Sequence, residues 1–203
     1  MLHYQTVDPS TLEILKRLLQ MQVFNELRLV GGTSLALQLG HRKSVDLDLF
    51  GSLEADDFVV ANALKTFNSV TIIQKSESIT IYSIEGIKVD IVNYTYPWLS
   101  AAKIEDGIRL AHLEDIAAMK LSAITGRGTK KDFIDISHIL QYFSLKQMLE
   151  FYSRKYYDGS EFLVLKSLTY FADADQEPDP VMLYKMDWED IKAGIVNTLE
   201  DFL

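Results

Sequence analysis

A chain of 203 residues is long enough for one compact domain, or a domain with a helical appendage, and 48% hydrophobic and 24% charged residues are ordinary for a globular protein. The absence of cysteine excludes disulfides and thiolate metal sites, so any metal must be held by carboxylate, imidazole or water, a donor set that suits Mg²⁺ or Mn²⁺. The net charge of −9 argues against unspecific polyanion binding, and it is uneven: residues 1–140 carry 17 acidic and 14 basic side chains, residues 141–203 carry 12 and 6, which reads as a solvated acidic surface.

The N-terminus MLHYQTVDPS has no signal-peptide apolar core, and no run approaches the roughly 18 apolar residues that span a bilayer, so the expected compartment is the cytoplasm and no membrane partner is expected. Asp8-Pro9 opens a helix, Asp as N-cap and Pro at N1, continued by Leu12, Leu15, Leu18 and Leu19 at helical spacing. Leu27–Val30 reads as a short buried strand, Gly31-Gly32 as a tight turn, and Thr33 or Ser34 as the cap of a helix Leu35–Leu39 that Gly40 ends. Val45–Phe50 alternates and predicts a strand, with Val45, Leu47 and Leu49 inward. A helix is expected over Glu54–Phe67, then strands over Val70–Lys75, Ile79–Ile84 and Ile87–Tyr94, the last two forming a hairpin about Glu85-Gly86. From about Leu110 the pattern is helical: Leu113–Thr125, Lys130–Phe143, a helix from Ser144 with a Ser144/Gln147 capping box to Tyr156, Ser160–Ala172, a loop Asp173–Pro180, and Trp188–Phe202. The layout is an α+β chain, with an α/β core over 1–105 and a helical region over 106–203, the boundary falling near Tyr96–Asp106.

The chemistry gathers in LVGGTSLALQLGHRKSVDLDLFG, residues 29–51. Residues i and i+2 of a strand share a face, so Asp46 and Asp48 are expected side by side, and two such carboxylates repel unless a cation lies between them. An outward-charged edge strand is the plain alternative. Asp90, in the β-rich run IKVDIV, repeats the pattern; if its strand lies beside that of Asp46, three carboxylates converge, as two-metal phosphoryl-transfer chemistry requires. Upstream, Gly31-Gly32-Thr33 before a helix lets backbone approach an anion and places the positive helix end beside it. On the helical side, Lys120 sits near a buried face formed by Ile116, Met119, Ala123 and Ile124, which implies snorkelling or pairing with an anion. Asp132 falls in the first turn of its helix, where an acid is favourable in any case, and Asp135 lies nearly on the same face. His41, His112 and His138 have no metal-ligand spacing and read as structural.

A glycine pair followed at this distance by DxD, with a later strand Asp, resembles the DNA polymerase β-like nucleotidyltransferase superfamily. The long motifs GGTSLALQLGHRKSVDLDLF and LEDIAAMKLSAITGRGTKKDFIDI, with the late LTYFADADQEPDPVM, are similar to the AbiEii/AbiGii-type nucleotidyltransferase toxins. The resemblance implies the polymerase β-like fold, a mixed β-sheet flanked by helices with a helical C-terminal half. It implies catalytic Asp46, Asp48, Lys120 and Asp132; phosphate contacts from Gly31, Gly32, Thr33, Ser34, Arg42, Ser44 and Arg127; and metal ligands Asp46, Asp48 and Asp90. The implied cofactor is Mg²⁺ or Mn²⁺ with an NTP as substrate. The implied acceptor is RNA, with the tRNA 3′ end foremost, and a cognate antitoxin protein is the implied partner. Arg42, Lys43, Arg127, Lys130 and Lys131 are available as a basic rim for an acceptor end. Protein nucleotidylation, a kinase-like activity in the same pocket, and a nucleotide- or partner-binding module without turnover stay open.

Overall fold

The computed structural model describes all residues, 1–203, and divides into two compact units. The first comprises residues 1–40, 44–95 and 102–111; the second comprises 41–43, 96–101 and 112–203.

The first unit is built on a seven-stranded mixed sheet. Its elements in chain order are α1 (Pro9–Gln20), β1 (Arg28–Leu29), α2 (Gly31–Leu39), β2 (Leu47–Gly51), α3 (Asp57–Leu64), β3 (Val70–Lys75), β4 (Ile79–Ile84), β5 (Ile87–Asn93), β6 (Lys103–Glu105) and β7 (Ile108–Leu110). The strand order is β3-β4-β5-β2-β1-β7-β6, with β2/β5 and β1/β7 parallel and the other neighbours antiparallel. Pro at N1 and a stripe of Thr11, Ile14, Leu15, Leu18 and Leu19 account for α1 and for the face it buries. That face joins one core with Phe24, Leu27, Leu29, Leu47, Leu49, Val89, Ile91, Ile108 and Leu110. The alternation of β2 is clean: Leu47, Leu49 and Gly51 are buried, Asp48 and Phe50 half-buried.

The second unit is helical: α4 (Leu113–Gly126), α5 (Lys130–Ile139), α6 (Leu145–Lys155), α7 (Glu161–Ser167), α8 (Ala172–Asp175) and α9 (Trp188–Phe202). Its interior includes Ile116, Leu121, Phe133, Ile136, Met148, Leu149, Val164, Ile191 and Ile195. The expected Ser144/Gln147 capping box opens α6. Residues 41–43 belong to this unit because they pair with 181–183: the Lys43 N–H donates to the Val181 carbonyl at 2.8 Å and the Leu183 N–H to the His41 carbonyl at 2.9 Å. The segment 96–101 is held by buried Asp115, which accepts from the N–H groups of Leu99 and Ser100 at 3.0 and 3.3 Å and from Lys155 Nζ at 2.7 Å.

Several expectations are corrected. The boundary at 105/106 would cut the β6–β7 hairpin, whose Asp106-Gly107 turn has φ of 51° and 77°, the two positive angles of a tight two-residue hairpin. Helix α2 begins at Gly31, so the glycine pair lies inside its first turn and neither Thr33 nor Ser34 caps it; left-handed Gly40 closes it as expected. Strand β2 begins at Leu47, which leaves Val45 and Asp46 outside the ladder and Val45 half exposed at 50%. The helices expected over 54–67, 130–143 and 160–172 are shorter, and α8 occupies part of the expected loop 173–180.

Candidate active site

Two clusters of charged side chains are candidates for the chemistry of this chain, one in each unit.

In the first unit, parallel pairing sets Asp48 of β2 directly beside Asp90 of β5. Register neighbours on adjacent strands share a face, so the two carboxylates stand together while Leu47, Leu49, Val89 and Ile91 go into the core. The start of α2 is clasped onto this strand. The Val30 N–H donates to the Asp48 carbonyl at 2.9 Å. The Thr33 hydroxyl donates to the Asp46 carbonyl and lies 2.8 Å from Ser44 Oγ. At Gly31, φ is +66° and an added Cβ would lie 2.2 Å from Asp48 Oδ2. Glycine is therefore required there twice over, by the left-handed backbone and by the approach of the carboxylate. The N–H groups of Gly31, Gly32 and Thr33 are in the first turn, where a helix offers donors without intrahelical acceptors and the positive end of its dipole.

Asp46 is exposed just ahead of β2, and the three carboxylates do not close into one three-donor cluster. A cation is already among them. Lys88, two residues before Asp90 on the same strand, places Nζ 2.7 Å from Asp90 Oδ2. Burial alone would lower the Lys88 pKa, but its hydrogen bond to Asp90 and the charges of Asp90, Asp48 and Asp46 outweigh this and raise it. Asp90 Oδ1 is buried with no partner. Hard oxygen donors in adjacent register, one of them orphaned, with an ammonium drawn to the same spot, fit a divalent cation.

In the second unit, Asp132 and Asp135 share a face of α5 and anchor a network of buried charge. Asp135 is fully buried; its Oδ1 accepts from Arg42 Nε and His41 Nε2, both at 2.7 Å, and its Oδ2 from Arg42 Nη2 at 2.8 Å and Lys120 Nζ at 2.6 Å. Asp132 accepts from Lys120 Nζ at 2.9 Å, from Arg127 Nε at 3.1 Å, and from the Thr129 hydroxyl at 2.6 Å and N–H at 3.3 Å. Burial would raise both carboxyls, but Lys120 with Arg127 holds Asp132 at about 2, and Lys120 with Arg42 holds Asp135 well below the usual carboxylate range. Burial would likewise depress the Lys120 ammonium; Asp135 and Asp132 reverse the effect and raise it. The pKa of fully buried His41 is lowered, chiefly by desolvation, which favours the neutral ring, and that ring lies against the ring of His138 at 4.6 Å. Three cations against two carboxylates leave one positive charge, and the Arg127 side chain, 68% exposed, is where the network meets solvent.

These placements redistribute the expected roles. Asp48, Asp90 and Gly31 come together, with Asp46 at the strand's entrance. Thr33 and Ser34 have buried side chains, and the Ser34 N–H donates to the Val30 carbonyl at 3.3 Å; the Thr33 hydroxyl ties down Asp46. Ser44 is spent on Thr33. Arg42 is buried and bidentate to Asp135, a brace within its unit rather than a phosphate contact. Lys120 is buried with two of its three donors committed to carboxylates. Of the suggested basic rim, Lys130 is also buried, its ammonium 3.0 Å from Asp179 and over the Trp188 ring. Sequence reasoning missed Lys88, whose signal was the i, i+2 spacing to Asp90, and it undervalued Asp135, whose signal was the i, i+3 spacing to Asp132.

The profile of the nucleotidyl transferase AbiEii toxin family, a type IV toxin–antitoxin system, matches residues 13–202. An uncharacterized protein of Aquifex aeolicus is 32% identical over 198 residues, covering 94% of this chain and 95% of its own. Solved structures share the fold, among them the following two. The nucleotidyltransferase toxin MenT4 of Mycobacterium tuberculosis has a TM-score of 0.61 at 16% identity, over 95% of this chain and 82% of its own. A Helicobacter pylori protein has a TM-score of 0.59 at 17% identity, over 96% and 92%. A match spanning almost the whole sequence places both clusters inside one family: the chain belongs to the AbiEii nucleotidyltransferase toxins.

Proposed function

We propose that this protein transfers an NMP from an NTP to a hydroxyl acceptor in RNA, the tRNA 3′ end foremost, as the toxin partner of a cognate antitoxin protein in the cytoplasm. The observation that carries the reading is the juxtaposition of Asp48 and Asp90 in register under the glycine-led start of α2.

Asp46, Asp48 and Asp90 would hold Mg²⁺ or Mn²⁺. Bound there, the ion supplies Lewis-acid stabilisation of phosphate charge and lowers the pKa of the acceptor hydroxyl. The N–H groups of Gly31, Gly32 and Thr33 receive anionic oxygens of the NTP. The acceptor oxygen bonds to the α-phosphorus, the α–β bridging P–O bond breaks, and pyrophosphate leaves. Of the two carboxylates considered for the acceptor's proton, Asp132, held at about 2 with both oxygens engaged, is a poor base; Asp90, with an unpartnered Oδ1, is the better one. Asp132 and Asp135 instead keep Lys120 and Arg127 in place. Arg127 with Lys131, both exposed, remains as surface charge for an RNA end.

The test is incubation with each α-labelled NTP, Mg²⁺ or Mn²⁺, and total RNA beside a cell lysate. Label in RNA is expected. Label only in protein moves the acceptor, transfer only from γ-labelled NTP indicates a kinase, and binding without transfer indicates a non-catalytic module.

A further inference from the structure

Lys88 stands where a bound cation has to act. Strand alternation in β5 puts Lys88 and Asp90 on one face. Its Nζ takes Asp90 Oδ2 at 2.7 Å, while Oδ1 of the same carboxylate is buried and unpartnered. The fields of Asp48 and Asp46 add to that of Asp90 at the ammonium. The Lys88 side chain is 42% exposed and that of Asp90 18%, so the lysine has room to swing away while the carboxylate stays. From the opposite strand, β4 contributes Ser83 as the register partner of Lys88, with no competing charge there.

We propose that Lys88 is a built-in counter-ion that competes with the divalent cation for Asp90 and gives the carboxylate up when metal and nucleotide arrive together. This rests on the metal-dependent reading above. Without a nucleotide, the ammonium relieves repulsion between Asp48 and Asp90 and keeps the strand pair intact. A divalent ion alone must break that pair and leave Lys88 without a partner. An ion arriving with a triphosphate brings the anionic oxygens that take Lys88 over, so the nucleotide removes the penalty. Lys88 is thus a positioning residue that makes cation binding depend on nucleotide.

Mn²⁺ titration by electron paramagnetic resonance, with and without a non-hydrolysable NTP analogue, tests this on the full chain. Lys88→Met is expected to bind Mn²⁺ alone about tenfold more tightly than wild type, about 1.4 kcal/mol. The difference should shrink when the analogue is present, and Lys88→Arg should behave as wild type. Equal Mn²⁺ affinity for wild type and Lys88→Met, or weaker binding by the variant, overturns the competition. Absence of Mn²⁺ binding to both proteins, with and without the analogue, overturns the metal reading beneath it. A lysine that only supports the strand would leave Mn²⁺ affinity unchanged in the methionine variant.

Discussion

Replacing Asp135 by asparagine keeps the volume and removes one charge from the centre of the second unit. Asp135 is fully buried and accepts four hydrogen bonds, two of them from Arg42. The variant removes the charged carboxylate to which the Arg42 guanidinium, itself 3% exposed, is bidentate, and can turn an amide N–H₂ toward Arg42, which only donates. Breaking a buried ion pair from one side costs about 3–5 kcal/mol. For a chain of this length each kcal/mol lowers Tm by about 2–4 °C, so the expected fall is about 6–20 °C. Urea and thermal unfolding followed by circular dichroism measure it. The double variant Asp135→Leu/Arg42→Met, which removes both charges, should recover a large part of the loss. A loss below about 1 kcal/mol for Asp135→Asn, or a double variant less stable than the single, would refute the view that this network is structural.

Three further outcomes follow. The carboxyl of Asp132 is at about 2 when folded against an ordinary 3.8, so it contributes about 2 kcal/mol of stability, present above pH 4 and lost as pH falls through about 2; Asp132→Asn should flatten acid unfolding across that window. Gly31→Ala forces a left-handed alanine and drives a methyl group into Asp48, so it should cost about 1–2 kcal/mol of stability while lowering transferase turnover far more, read by unfolding and label transfer on the same preparation. Lys155→Met should destabilise the chain by about 3–5 kcal/mol in urea unfolding, because it strands fully buried Asp115, the carboxylate that holds segment 96–101.

The local features of the first unit were legible because alternation and turn chemistry act over a few residues. IKVDIV and VDLDLF place their acids on one face, and Glu85-Gly86 marks its hairpin. Parallel pairing of β2 with β5 is long-range, so side-by-side Asp48 and Asp90 were only a conditional expectation. Val45 and Asp46 continue the alternating pattern, yet the Thr33 hydroxyl holds the Asp46 carbonyl outside the ladder. Strands β6 and β7, three residues each, are too short to show a period; their one signal, Asp106-Gly107, falls at the expected boundary. In the second unit the pairing of Lys120 with an anion was readable, but the choice of Asp132 and Asp135 together, and of Arg42 as the second cation, depends on helix packing that periodicity does not encode.

The most direct test is label transfer from α-labelled NTP to RNA by Asp48→Asn and by Asp90→Asn, each shown by circular dichroism to keep its fold. Loss of one such carboxylate should slow transfer by about 10²–10³ in both variants, the scale of losing one preorganised electrostatic group at a reacting phosphate. Transfer by either folded variant within tenfold of wild type would contradict the assignment of the paired Asp48 and Asp90 as the reaction centre.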